Sequence, residues 1–402
     1  LREMPGGLQV TYSSMQAGLF EGSLTLNQLK IGDGADSNRR VDIDRVVIRG
    51  LRYFALLFSR RIDPHELKLE GTEARVHWLK GQVLRLGGIE LDGEKRSLRI
   101  DSLKIAPVVD KYELGRRAGH QVDYIEGSSG GIWVAGLDFE ALRQNHYLIA
   151  DSMGIEKNHI YVFRDRRLPR EEDRKAMPAE LLKELPVTVR VKSVRIGTTN
   201  FVYEEFPRKG NKTGILRVVR MRGQISPLIN HPVKGDPAYI TMRIGGSLMG
   251  SGWVTATTGI PLHKGDPYEV EGAFHELDVT ALNPSAENLG HIHLESGRLN
   301  SLAFWFRMDE EKSTGKIVGE YHDLVAEKLK ENSDGKKVDK LKSFFLKHVI
   351  IPKDKDKSLA VEKRTGEVDY KHDPSRYFSY YLLHSLLVGV KSSFSLGFLL
   401  PG

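Results

Sequence analysis

The sequence predicts a mainly β protein: an elongated, strongly curved antiparallel or mixed sheet forming an open groove, with a few short helices and a C-terminal apolar helix. Three observations carry this. Glycine is abundant, 40 of 402 residues, and β-branched stretches are separated by Gly, Asp and Asn, a composition of strands and turns. A short apolar pattern of period two recurs along the chain. One strongly apolar helical run stands apart near the end, at residues 377–388.

The recurring pattern is apolar, any, apolar, two of any, apolar, any, apolar. It reads LTLNQLKI at 24–31, VDIDRVVI at 41–48, LRIDSLKI at 98–105 and VRVKSVRI at 189–196, with a looser copy at 148–155. Each half is a strand with one face covered. Between the halves the alternation slips by one residue, which in a straight strand swaps the faces. A β-bulge absorbs the extra residue, keeps the apolar groups on one side and bends the strand. The irregular spacing of the copies excludes a propeller or a strict solenoid.

Further strands are expected at 159–163, 201–203, 215–221, 239–244, 252–256, 268–274, 291–294, 302–308 and 316–325. A short helix is expected from Asp138, its cap, to about Asn145, and a helical turn or two at 177–185, opened by Pro178 and ended by Pro186. Residues 332–337 read as a polar turn and 340–345 as helical. Asp373 and Pro374 read as cap and first position of the terminal helix, Gly389 as its stop, and 394–400 as a last strand. That helix is too short to span a bilayer. It packs on or plugs the sheet, or it docks on a partner or membrane surface through Tyr377, Phe378, Tyr381, Leu382 and Leu386. Three regions are expected: an N-terminal β-groove region (1–180), a central and C-terminal β region (181–350), and a terminal strand and helix (351–402) forming a cap or docking element.

The chemistry is sparse. The net charge of +7 is spread along strands and mixed with acids, so no nucleic-acid partner is expected. Cysteine is absent, which excludes disulfides and thiolate metal sites. The chain opens at Leu1 without a signal-peptide pattern, and an export signal or N-terminal membrane anchor is expected to be missing from it. His291 and His293, with His275, offer a weak metal pair or ordinary strand-surface histidines, and no metal site is expected. Glu204 and Glu205 are adjacent on a strand and point to opposite faces, a poor arrangement for a shared task. The run from Ser128 to Gly131 lacks the Lys-Ser/Thr of a phosphate loop and reads as a turn. No catalytic residue and no cofactor are expected, and the protein is read as not an enzyme. Arg164, Arg166 and Arg167 are either phosphate-headgroup or partner contacts, or an ion-paired strand end before a proline-limited loop.

Taken in order, several segments resemble the AsmA-like proteins of Gram-negative envelopes, relatives of TamB in the repeating β-groove lipid-transport superfamily. They are GLFEGSLTL at 18–26, the repeated LRIDSLKI-type strands, YVFRDRRLP at 161–169, ALNP at 281–284, GEYHDL at 319–324 and YFSYYLLHSLLVGVK at 377–391. The resemblance covers most of the chain, and the order of its short motifs is more specific than any one of them. It implies a long trough with an apolar lining that binds or conducts phospholipid or another amphipathic lipid, in the periplasm or at a membrane of the envelope, with envelope proteins as possible partners. It brings no catalytic residues. The alternative is a structural subunit of a larger envelope assembly, docked through sheet edges and the C-terminal helix.

Overall fold

The computed structural model of the chain describes residues 2–3, 8–33, 40–53, 66–77, 82–145, 147–185, 187–329 and 363–393. The expected elements at 332–337, 340–345 and 394–400 lie outside these residues. The N-terminal strands are β1 (Arg2–Glu3), β2 (Leu8–Thr11), β3 (Ser14–Gly18), β4 (Ser23–Asp33), β5 (Arg40–Arg49), β6 (Lys68–Gly71), β7 (Ala74–His77), β8 (Gln82–Asp92) and β9 (Ser97–Pro107). Helix α1 (Lys111–Ala118), β10 (Asp123–Ser129), β11 (Gly131–Ala135), α2 (Phe139–Asn145), β12 (Tyr147–Glu156), β13 (Asn158–Asp165) and α3 (Pro178–Lys183) follow. Then come β14 (Thr188–Phe206), β15 (Gly214–Ser226), β16 (Leu228–Ile229), β17 (Tyr239–Leu248), β18 (Gly252–Pro261) and β19 (Tyr268–Asp278). Helix α4 (Asn283–Gly290), β20 (Ile292–Met308), β21 (Lys312–Lys328), β22 (Lys363–Lys371) and α5 (Phe378–Ser393) end the described chain.

All these strands belong to one mixed sheet. Neighbours are antiparallel except where β12 and β13 run parallel to β14, a step that crosses over through α3. Pairing continues across residue 180 through β14 and from β21 to β22, so the ladder is unbroken at both expected region boundaries.

The slip in the repeated pattern has a physical counterpart, but not a one-strand bulge. In β4 the slip residue Gln28 is left-handed, with φ 50°. Pairs Asn27↔Arg45 and Leu29↔Ile43 flank it, so the register with β5 resumes unchanged. Both strands kink at the same level, and the irregularity passes on: Asp44 N donates to Glu73 O across the β6–β7 break, Gly88 takes φ 55°, and Gly130 interrupts β10 and β11. Lys157 at φ 53° separates β12 from β13, and Arg220 at φ 53° marks β15. A single crease therefore crosses the sheet from β4 to β15. At Gly88 an added Cβ would meet the Asp101 carboxylate, so a side chain there would have to push that carboxylate aside. The copies at 148–155 and 189–196 lie side by side with their pattern slips level, at Asp151 and Lys192, whose side chains pair at 2.7 Å.

The residues from Ser128 to Gly131 are thus a creased strand and not a turn. Helix α2 starts as expected, with Asp138 accepting the Ala141 amide at 2.9 Å, and α3 starts at Pro178. Helix α1 was not anticipated, although Asp110 caps it and left-handed Gly119 ends it. Asp373 caps a tight turn that includes Ser375, and α5 begins only at Phe378. Gly389 does not stop α5; it sits where the helix touches the sheet.

Candidate functional site

Register determines what each face of the sheet carries, because directly paired residues share a face. One cross-strand row runs Leu26, Val46, Gly71, Ile89, Ile100, Ile132, Ile155, Ile196, Gly223, Ile244, Ala256, Gly272, Phe304 and Ile317. Every member is apolar or glycine. The row beside it on the same face includes Leu24, Ile48, Leu69, Leu91, Leu98, Val134, Met153, Val194, Ile225 and Met242. The repeated sequence pattern supplies much of both rows.

Burial along this apolar face is uneven. At the C-terminal end Phe304 is 8% exposed and Ile317 0%. In the same row Leu26, Ile89, Ile100, Ile132, Ile155, Ile196 and Ile244 are only half-buried. Helix α5 makes the difference. Tyr381 is fully buried, and Phe378, Leu382, Leu386 and Val390 pack on the cluster of Val270, Phe306, Met308, Ile317 and Val368. The helix approaches the sheet through small residues. A Cβ on Gly389 would lie 2.8 Å from Val368 Cγ2, and Ser385 and Ser313 hydroxyls meet at 2.6 Å. Helix α2 covers a second patch, where Leu137 and Phe139 pack with Val134, Val189, Val191 and Val194.

Of the residues expected to dock the terminal helix, Phe378, Tyr381, Leu382 and Leu386 face this core, while Tyr377 is 41% exposed. Tyr377 lies against Arg164, whose guanidinium carbon is 5.0 Å from the ring centroid. Arg164 itself makes a bidentate pair with Asp123 at 2.7 and 2.6 Å. Burial opposes its charge, but the two Asp123 hydrogen bonds outweigh burial and raise its pKa above the ordinary arginine value. Arg166 pairs with Glu205 at 3.0 Å, and Arg167 pairs with Asp165 and stacks on Phe206 at 3.7 Å. The three arginines therefore form an ion-paired strand end.

Glu204 and Glu205 do point to opposite faces. Glu204 accepts from Lys111 Nζ at 2.9 Å, and Lys111 also donates to Tyr161 at 2.9 Å. Burial, then the Glu204 carboxylate, push the Tyr161 phenol up to about 12, so it stays protonated at neutral pH. His291 is the left-handed residue that closes α4, and His293 pairs with Glu287 at 2.6 Å; the two do not share a strand face. Among the described residues no group of three or more His, Asp or Glu is placed to hold a metal.

The opposite face is polar. One of its rows reads Glu90, Arg99, Trp133, Gly154, Arg195, Gln224, Arg243, Thr257, Glu271, Trp305 and Lys316. From β11 to β20 this face holds an open cleft of about 1320 Å³. No sequence signal marked it. Its residues lie on outward positions of strands far apart in the chain, and only the register joins them.

No family model matches the chain, and no curated protein matches it significantly. Among the described residues no helix is long and apolar enough to cross a membrane.

Proposed function

We propose that the protein is a non-enzymatic lipid-binding protein of a Gram-negative envelope, akin to the AsmA-like proteins, and that acyl chains lie along the apolar face of β4–β9 and its continuation through β15. The observation that carries this is the uneven burial of one unbroken apolar row: it is sealed by α5 at one end, and over the remaining strands all but Val46 and Gly71 stay partly exposed. Such a face gains roughly 0.8 kcal/mol for each methylene it removes from water and needs no residue-specific chemistry. Headgroups would stay at the wet margin. Arg166 and Arg167 retain more exposure there than Arg164, which is committed to Asp123.

A second reading, a structural subunit, has its own support. The N-terminal end of the sheet exposes Tyr12, Met15, Leu19 and Phe20, at 48%, 55%, 67% and 106%. Apolar groups beside a strand edge favour pairing with another chain.

The test is purification from the native membrane followed by mass spectrometry of bound lipid, repeated with Ile100→Glu and Leu103→Glu. Lipid in the native protein, reduced at least tenfold in both variants at unchanged melting temperature, supports lipid binding. Lipid-free native protein that moves no fluorescent phospholipid between vesicles overturns it.

A further inference from the structure

We infer that the open cleft opposite the apolar face, lined by tryptophans and by charged and polar side chains, is a binding site for an extended oligosaccharide. Three of the four tryptophans in the chain, Trp133, Trp253 and Trp305, line it. Two of them lie against glycines of the neighbouring strand. A Cβ on Gly154 would come within 2.5 Å of the Trp133 ring, and one on Gly245 within 3.6 Å of Trp253 Nε1. A side chain at Gly154 would displace the Trp133 indole, so this glycine lets the ring lie low on the sheet, whereas at Gly245 a Cβ would make only ordinary contact with Trp253. Trp253 and Trp305 keep 42% and 47% of their surface exposed, although burying an indole is strongly favourable.

The polar groups between the rings decide the class of ligand. Arg222 and Arg243 can donate and Glu271 can accept, while Arg195 and Glu156 pair with each other at 2.6 Å, leaving one net positive charge among these five. A nucleic acid needs a surplus of cations along its phosphates. An acyl chain would strand the polar groups. A sugar chain presents hydroxyls that both donate and accept, and apolar C–H faces that suit the negative face of an indole. Seven strand steps separate β11 from β20, which at about 4.8 Å each spans about 34 Å, room for several sugar units in a row.

This inference is independent of the lipid reading, since it concerns the other face. The experiment is titration of the full chain with chitohexaose, cellohexaose and maltohexaose, followed by tryptophan fluorescence and calorimetry. Oligothymidylate serves as the polyanion control. At least one hexasaccharide is expected to bind and to shift the fluorescence. Trp253→Ala and Glu271→Ala, both at exposed positions, should each weaken that binding at least tenfold at unchanged melting temperature. Binding of none of the three sugars overturns the proposal, as does preferential binding of oligothymidylate. Equal sugar binding by the native protein and both variants also overturns it.

Discussion

The docking of α5 on the sheet should fail on a single methyl group. Gly366 in β22 faces the helix where it runs closest. A Cβ there would fall inside the contact shell of the Gly389 carbonyl oxygen, and 2.7 Å from the Ser393 amide nitrogen. Both are helix backbone, so no side chain can swing aside. In Gly366→Ala the helix must recede by roughly 1 Å, a case of overpacking that costs about 1–3 kcal/mol. Receding also strains the buried hydroxyl contact between Ser313 and Ser385, worth about 1 kcal/mol. Alanine gives back about 0.5–1 kcal/mol through the lower entropy of its unfolded chain. The net expectation is a loss of about 1–3 kcal/mol. Urea unfolding followed by circular dichroism measures it, with Gly290→Ala as control. At Gly290 the nearest atom to an added Cβ is Ile292 Cδ1 at 4.0 Å. A Gly366→Ala variant as stable as the native protein, with the control unchanged, would refute the close packing of α5.

Three further outcomes follow from named groups. Asp123→Asn strips the bidentate partner from Arg164, whose side chain is 16% exposed, and should cost about 3 kcal/mol in chemical denaturation, whereas Arg167→Ala at 46% exposure should cost no more than about 1 kcal/mol. His384 is stacked on Tyr380 and Tyr370 at 3.9 and 5.7 Å, and burial, then Arg376 and Arg166, hold its pKa below 6.5. The unfolded chain then binds the proton more readily, so stability should fall as pH drops below 6.5 until the depressed folded pKa is passed; His384→Phe should flatten that slope in pH-dependent melting curves. Asp236 is drawn down to about 2 by its Arg190 hydrogen bonds and the Val233 amide, so its contribution should persist to pH 4 and fade between about 4 and 2, a loss absent from Asp236→Asn in acid unfolding.

The apolar face was legible because it is written locally. In LTLNQLKI the leucines at 24, 26 and 29 and Ile31 announce a covered face and a slip in their own eight residues. The way the slip is absorbed was not legible. A one-strand bulge and a two-strand kink leave the same sequence trace, and only the unchanged register from Asn27↔Arg45 to Leu29↔Ile43 separates them. Helix α1 shows the reverse failure. Asp110, Glu113 and Gly119 stand at cap, third and closing positions, but such short signals are weak beside the strand patterns that flank them. Gly389 reads as a stop in sequence because glycine commonly ends helices; the neighbours that decide its role, Val368 and Ile317, are far away in sequence.

The two faces of this sheet follow from one alternation, and that couples their design. Each strand that sends an isoleucine into the apolar row sends its neighbour outward: Ile196 beside Arg195, Ile244 beside Arg243, Phe304 beside Trp305. Moving a strand by one residue would place arginine and tryptophan on the apolar side and isoleucine in the polar cleft. The register is thus pinned from both faces at once. The crease is absorbed in two ways: the β4–β5 register is unchanged across it, whereas the β15–β17 register shifts by one residue between Val219 and Arg222. Both rows run across the strands beside the crease, so a long apolar lane and a long polar lane lie on opposite sides of the same backbone.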